Sequence, residues 1–153
     1  TLIKDLDIKE IVAVLAHEVG HYKKHHIILT LFVSLISTGF MLWIFSFFIE
    51  ESVLSQALGI ELPSFHVGLV VFSFLYAPIS LVTGLLTNYL SRVFEFQADD
   101  FASSTYSGDY LSSALRKLSK KSLSNLTPHP AYVFFHFSHP SLKERLRNLK
   151  NKS

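Results

Sequence analysis

Two long stretches without a charged residue, at 27–49 and 67–90, dominate the pattern of apolar and polar positions. Both are rich in Leu, Ile, Val and Phe, and about 23 residues in a helix extend roughly 34 Å, enough to cross a hydrocarbon core of about 30 Å. A buried helix of a soluble protein is the alternative, but so long a run without a charge is rare there. The pattern predicts two transmembrane helices, with a kink at Pro78 in the second.

A shorter amphipathic pattern precedes the first span. Asp7 followed by Glu10 resembles a capping box, and apolar residues then recur at helical spacing, namely Ile8, Ile11, Val12, Leu15, Ala16 and Val19. The next residues, Lys23, Lys24, His25 and His26, are typical of a helix that meets lipid headgroups. We therefore predict a helix from about Ile8 that ends in a basic interfacial cluster.

The placement of charge predicts an orientation in the membrane. All fourteen Lys and Arg lie before residue 27 or after residue 90, whereas the connection at 50–63 carries only the acidic Glu50, Glu51 and Glu61. By the positive-inside rule both flanks face the cytoplasm, in a bacterial inner membrane or the endoplasmic reticulum. Since two antiparallel spans return the chain to the membrane face it left, residues beyond 90 should lie near the amphipathic helix.

The candidate chemistry lies at 17–21, where the sequence reads H-E-V-G-H. Two imidazoles four residues apart on a helix, His17 and His21, can bind one zinc ion. Glu18 would face the same ion without ligating it, and can take a proton from an attacking water. Two surface histidines on an amphipathic helix would give the same motif, so a third ligand has to decide between the two interpretations.

The chain contains no cysteine, so a third ligand must be His, Asp or Glu. Glu95 is the candidate, on a predicted continuation of the second span, and Asp99 follows one helical turn later. Asp99 can accept the N–H of a ligand histidine and fix its tautomer. A solvated helix with a mutually repelling acidic pair is the alternative. The zinc site would be carried by 8–26 and 91–106.

Four segments carry a resemblance to a known family: HEVGHYKKHH (17–26), NYLSRVFEFQADDFA (88–102), LSSALRKLSKKSLSNL (111–126) and HFSHPSLKERL (136–146). In this order the chain resembles the C-terminal part of the CAAX prenyl protease 1 family, membrane zinc metallopeptidases related to the HtpX-type proteases. The patterns N-x-L-S-R-x-x-E-x-Q-A-D and S-H-P-x-L-x-E-R-L are much narrower than H-E-x-x-H. The resemblance covers nearly the whole chain.

The resemblance implies the zinc ligands and the catalytic base. The ligands would be His17, His21 and Glu95, with Glu18 as the general base and Asp99 as the partner of a ligand histidine. We interpret the chain as a fragment of a longer protein. In the family, N-terminal transmembrane helices that precede this part complete the chamber around such a site, so the resemblance implies that the fragment alone is inactive.

Two further site residues are implied by the last matching segment. The histidine and arginine of S-H-P-x-L-x-E-R-L line the active site in the family, and here they are His139 and Arg145. His139 would donate a hydrogen bond to the oxyanion or occupy a fourth coordination position. Arg145 could equally be a structural partner of Asp99 or Asp100.

The remaining elements follow from local signals. Gly108 should end a helix and Asp109 should be the N-cap of the next one, at about 109–122. The aromatic stretch 131–137 reads as an extended segment. A final helix should occupy about 140–151, with Pro140 at its first position.

These patterns together indicate an all-α membrane protein with an H-E-x-x-H zinc-metalloprotease core and two transmembrane helices. The implied function is hydrolysis of a peptide or protein substrate, removing the last three residues of prenylated CAAX C-termini at the lipid bilayer. The alternatives are HtpX-like quality control of membrane proteins and a non-catalytic metal-binding protein such as a transporter, whose ligands should lie within the spans. The net charge of +2 is too mild to indicate nucleic acid.

Overall fold

The computed structural model describes residues 5–48, 56, 59, 64–123 and 125–151. These residues form helices joined by turns, and no strand occurs among them, which confirms the predicted all-helical class. The helices are α1 (Ile8–Lys23), α2 (His26–Ser46), α3 (Phe65–Thr105), α4 (Gly108–Lys121), α5 (Pro130–His136) and α6 (Leu142–Lys150). The chain divides into two compact units, one of residues Thr1–Thr30 with Thr87–Ser153 and one of residues Leu31–Leu86.

The unit of residues Leu31–Leu86 contains most of α2 and the first half of α3. Its contacts are aromatic, with the rings of Phe45 and Phe72 4.8 Å apart and that of Tyr76 stacked 5.1 Å from Phe72. Both α2 and α3 are long and apolar enough to cross a membrane. The end of the first predicted span, at residue 49, lies outside the described residues.

Helix α3 continues well beyond the predicted second span. It runs for 41 residues through Pro78 to Thr105 and carries Glu95 and Asp99 on its last third. The predicted continuation of the span as a helix is therefore confirmed, and Glu95 and Asp99 lie on the same unbroken helix as the span.

The other unit is built around α1, the end of α3, and helices α4 and α6. Asp7 is the N-cap of α1 and forms the predicted capping box with Glu10. Helix α4 packs against both α1 and α6, and the shared core consists of Ala13, Ala102, Leu111 and Leu149. These core residues come from four helices, so burial of their apolar surface stabilises the unit as a whole.

Glycine sets the distance between α1 and α3. A Cβ added to Gly20 would lie 3.1 Å from the Cα atom and 3.2 Å from the carbonyl oxygen of Ala98. Both atoms belong to the backbone of α3, so a larger residue would force the helices apart. Gly20 thus allows the H-E-x-x-H helix to pack directly on the helix of Glu95.

A buried carboxylate joins α1 to α4. Glu10 is 3% exposed and accepts hydrogen bonds from Lys117 Nζ at 2.8 Å, Ser113 Oγ at 2.6 Å and the backbone N–H of Asp7 at 2.8 Å. Bonding to Lys117, followed by Ser113 and Asp7, lowers the pKa of Glu10 from 4.5 to about 2. The ionised form is the one that the fold stabilises.

Replacing Glu10 by Gln should therefore lower the melting temperature near neutral pH but have little effect near pH 2. A carboxylate whose pKa is depressed by folding contributes stability above its ordinary pKa of 4.5 and loses it as the pH falls towards 2. Melting curves of the purified protein from pH 2 to 8 measure this. The exposed Asp5–Lys121 pair provides the control, since Asp5→Asn should change little at any pH. A Glu10→Gln deficit that stayed constant down to pH 2 would contradict the assignment.

Helix α4 begins one residue earlier than predicted, and Asp109 is not its N-cap. The N-cap is Ser107, whose hydroxyl accepts the N–H of Tyr110. Gly108 is the first residue of α4 and not the end of α3. It is buried beside α3, where an added Cβ would lie 2.8 Å from Ser103 Oγ, so close packing accounts for the glycine.

The predicted extended segment at 131–137 is wrong, because Pro130–His136 forms α5. His129 is its N-cap, with Nδ1 accepting the N–H of Ala131 at 3.2 Å. At the other end Arg92 Nη1 donates to the carbonyl of Phe137 at 2.7 Å. Capping at both ends thus overrides the strand preference of the aromatic residues.

The last helix is also shorter than predicted. It spans Leu142–Lys150, with Ser141 as N-cap in a capping box with Glu144. Pro140 precedes the N-cap and is not the first helical residue. The serine hydroxyl satisfies a free N–H of the first turn, which proline cannot do.

Candidate metal centre

Three predicted ligand side chains meet inside the unit that contains α1. His17 and His21 Nε2 atoms lie 3.2 Å apart, and Glu95 oxygens lie 3.7 Å from His17 Nε2 and 3.6 Å from His21 Nε2. Metal–ligand bonds of about 2.0–2.1 Å in a tetrahedral site separate ligand atoms by about 3.3 Å. The observed spacing therefore fits a zinc-sized ion with three protein ligands and a fourth position open.

Helix geometry and close packing bring these side chains together. His17 and His21 are one turn apart on α1, so they project from the same face. Glu95 reaches them from α3 because Gly20 and Ala98 let the two backbones approach. His17 and Glu95 are each 7% exposed, so their polar atoms are buried where only partners or a cation can satisfy them.

The residue predicted to orient a ligand histidine lies beside His17. Asp99 Oδ1 is 2.9 Å from His17 Nδ1, and Asp99 is fully buried. An N–H on Nδ1 that donates to this carboxylate leaves the Nε2 lone pair facing the centre. Burial opposes ionisation of Asp99, but hydrogen bonds from Arg145 and His17 outweigh it and hold its pKa below the ordinary value.

Arg145 connects two carboxylates of α3, those of Asp99 and Glu95. Its Nε donates to Asp99 Oδ2 at 2.8 Å and its Nη2 to Asp99 Oδ1 at 2.5 Å, while Nη1 lies 3.1 Å from Glu95 Oε2. Burial opposes the charge of Arg145, but the bonds to Asp99 raise its pKa. The guanidinium thus balances two buried negative charges, and the partner is Asp99; Asp100 instead accepts from Asn148 at 2.8 Å.

His139 lies at the exposed edge of the same centre. Its Nδ1 is 3.0 Å from Glu95 Oε1, while its side chain remains 66% exposed. It lines a cavity of about 370 Å³ together with Arg145, Phe137 and Leu115. The cavity lies beside His139 and Arg145, which both contact Glu95.

Glu18, the predicted base, is exposed on α1 directly after the candidate ligand His17. Its negative charge adds to those of Asp99 and Glu95 in raising the pKa of Arg145. At His21, burial and the charge of His17 lower the pKa of the imidazole. A neutral His21 is the form that can ligate a metal.

Two residues next to the centre were not predicted. The interfacial role expected for His26 is wrong, since the side chain is 3% exposed and its Nδ1 lies 3.0 Å from His21 Nδ1. Its Nε2 lies 3.0 Å from Gln97 Oε1 on α3, and its ring stacks on Phe94 at 4.4 Å. No local pattern separates His26 from the exposed His25, because the distinction depends on packing against α3.

An all-helical chain with two membrane-length helices and a two-histidine, one-glutamate centre is the architecture of a membrane metallopeptidase. The model of peptidase family M48 matches residues 1–153, and the chain belongs to this family, whose peptidases are metal-dependent. The resemblance seen in the four sequence segments is thereby confirmed.

Individual relatives agree over nearly the whole chain. A CAAX prenyl protease 1 homolog of Dictyostelium discoideum is 41% identical over 99% of this chain and 36% of the relative. One from Mus musculus is 36% identical over 94% of this chain and 30% of the relative. The crystal structure of S. mikatae Ste24p superposes with a TM-score of 0.86 at 31% identity, covering 97% of this chain and 38% of that one. The chain therefore spans about a third of the length of these relatives.

Proposed function

We propose that this chain carries the catalytic centre of a zinc-dependent membrane endopeptidase. The observation that carries the proposal is the grouping of His17, His21 and Glu95, whose ligand atoms all lie within 4.8 Å of one another. Zinc held by these residues would supply Lewis acidity towards a peptide carbonyl and activation of water. Two imidazoles and one carboxylate with an open position are a typical donor set for catalytic zinc.

The other residues of the centre have distinct tasks in this proposal. Glu18 takes a proton from the attacking water and passes it to the leaving amine nitrogen. His139 faces the open side and donates a hydrogen bond to the developing oxyanion. Arg145 acts by positioning, because its three nitrogen atoms hold the carboxylates of Asp99 and Glu95.

The proposed substrates are prenylated CAAX C-termini, from which the last three residues are removed. The support is the name of the relatives, CAAX prenyl protease 1 homolog, at up to 41% identity over 99% of this chain. Glu95 lies on α3, which is long and apolar enough to cross a membrane, and this suits a substrate that carries a lipid. Since the chain spans a third of those relatives, the N-terminal transmembrane helices would belong to the complete enzyme.

Hydrolysis of a farnesylated CAAX peptide by the full-length protein tests the proposal. We expect release of the C-terminal tripeptide, complete loss of activity after dialysis against a chelator, and recovery when one equivalent of zinc is restored. Mass spectrometry of the products identifies the bond cleaved. Activity that survived removal of all bound metal would contradict the zinc mechanism, and cleavage of unprenylated peptides at the same rate would contradict the substrate class.

The centre is proposed to face the cytoplasm, with the connection around Gln56 on the opposite side of the membrane. The support is the absence of Lys and Arg from 50–63. A single cysteine introduced at Gln56 in a cysteine-free background should be labelled by an impermeant reagent when the reagent is applied from the non-cytoplasmic side. One at exposed Lys120 serves as the matched cytoplasmic control. Labelling of Lys120→Cys but not Gln56→Cys from that side would reverse the orientation.

A further inference from the structure

We propose that His26 and Gln97 form a hydrogen-bonded chain that sets the tautomer and orientation of His21 for metal binding. This series of hydrogen bonds runs from Gln97 Oε1 to His26 Nε2 at 3.0 Å and from His26 Nδ1 to His21 Nδ1 at 3.0 Å. The proposal rests on His21 being a metal ligand, as proposed above. It assigns positioning roles to two residues that do not reach the metal themselves.

Metal binding fixes the direction of every hydrogen bond in this chain. His21 faces the centre with Nε2, which lies 3.2 Å from His17 Nε2 and 3.6 Å from Glu95 Oε1. A ligating Nε2 must offer its lone pair, so the proton of neutral His21 is on Nδ1. That N–H then donates to His26 Nδ1, which must be an acceptor.

The same logic continues to Gln97. When Nδ1 of a neutral imidazole accepts, Nε2 carries the proton, so His26 donates from Nε2 and needs an acceptor there. The oxygen of Gln97 is placed at that position. If the amide were reversed, His26 Nδ1 would donate to His21, whose proton would then move to Nε2 and block the metal. One arrangement of the chain is therefore compatible with a ligated His21.

Packing holds this chain in place. His26 is 3% exposed, and its ring lies on Phe94 with an interplanar angle of 11°. Phe94 and Gln97 lie on α3 on either side of the ligand Glu95, one residue before it and two after it. Each ligand histidine then has its own partner, since His17 Nδ1 is bound by Asp99 and His21 Nδ1 by His26.

Zinc affinity of the full-length protein, measured by competition with a chelating dye, tests the chain. His26→Phe keeps a ring against Phe94 but removes the acceptor, and should weaken zinc binding about tenfold or more, as loss of such partners commonly does. His26→Asn places an amide oxygen near the former Nδ1 and should recover most of the affinity. His25→Asn, at the exposed neighbouring histidine, is the matched control and should bind zinc like the wild type.

A spectroscopic signature separates positioning from a merely structural role. In zinc-loaded protein labelled with ¹⁵N-histidine, an N–H···N bond should give a scalar coupling between the Nδ1 atoms of His21 and His26. Absence of this coupling in zinc-loaded wild type, or equal zinc affinities of His26→Phe and wild type, would contradict the proposed series of hydrogen bonds while leaving the zinc site intact. If the wild-type protein bound no zinc, both the proposed function and the proposed series of hydrogen bonds would be contradicted.

Discussion

Replacing Glu18 by Gln should leave the full-length protein with one bound zinc and reduce peptide hydrolysis by about 100- to 10,000-fold. Glu18 is exposed and stands outside the group of ligand atoms, so the amide should not disturb His17, His21 or Glu95. Gln keeps the size of the side chain but cannot accept a proton from the attacking water. The loss should therefore appear in kcat, with little change in KM.

Glu95→Ala is the contrasting variant, because it removes a ligand instead of the base. We expect it to lose zinc, as measured by metal analysis after gel filtration, together with activity. Zinc loss by Glu18→Gln, or full activity of that variant, would show that the roles assigned to Glu18 and Glu95 are wrong. Farnesylated peptide is the substrate in both assays.

Replacing Arg145 by Met should destabilise the protein by about 3–5 kcal/mol, the cost typical of removing one partner from a buried ion pair. Arg145 makes two hydrogen bonds to the fully buried Asp99 and a third contact with Glu95. Met fills a similar volume but leaves the carboxylates of Asp99 and Glu95 without their guanidinium partner. Chemical denaturation of the full-length protein in detergent measures the loss.

Two further variants make this result specific. Arg147→Met, at an exposed position of the same helix, should change stability by no more than about 0.5 kcal/mol. Arg145→Lys should recover only part of the loss, since an ammonium cannot reproduce the paired geometry of a guanidinium. If Arg145→Met unfolded like the wild type and kept its zinc but hydrolysed no peptide, Arg145 would contact substrate, as the family resemblance implies.

Elements with local signals were predictable from sequence. Asp7 and Glu10 are three residues apart and cap α1 as expected. The two membrane-length helices were predictable from the length of the apolar runs and their lack of charge. The i, i+4 spacing of His17 and His21 predicts that both face one point, because helix geometry alone guarantees it.

Features that depend on distant contacts were missed or left open. His26 and Gln97 are 71 residues apart, so the burial of His26 has no local signature. The choice of Asp99 as the partner of Arg145 likewise depends on how α6 packs. At α5 the aromatic residues favour a strand locally, and the caps from His129 and Arg92 reverse that preference.

The bonds around the ligands also determine what happens between metal-binding events. His17 is tied to Asp99, Glu95 to Arg145 and His139, and α1 to α3 by the contact at Gly20. The candidate ligands are therefore preorganised by contacts within the chain, and binding of the metal requires little further ordering of side chains. Small zinc domains, in contrast, are unfolded without their metal. Here removal of the metal ion should leave a folded apoprotein that can bind the metal again.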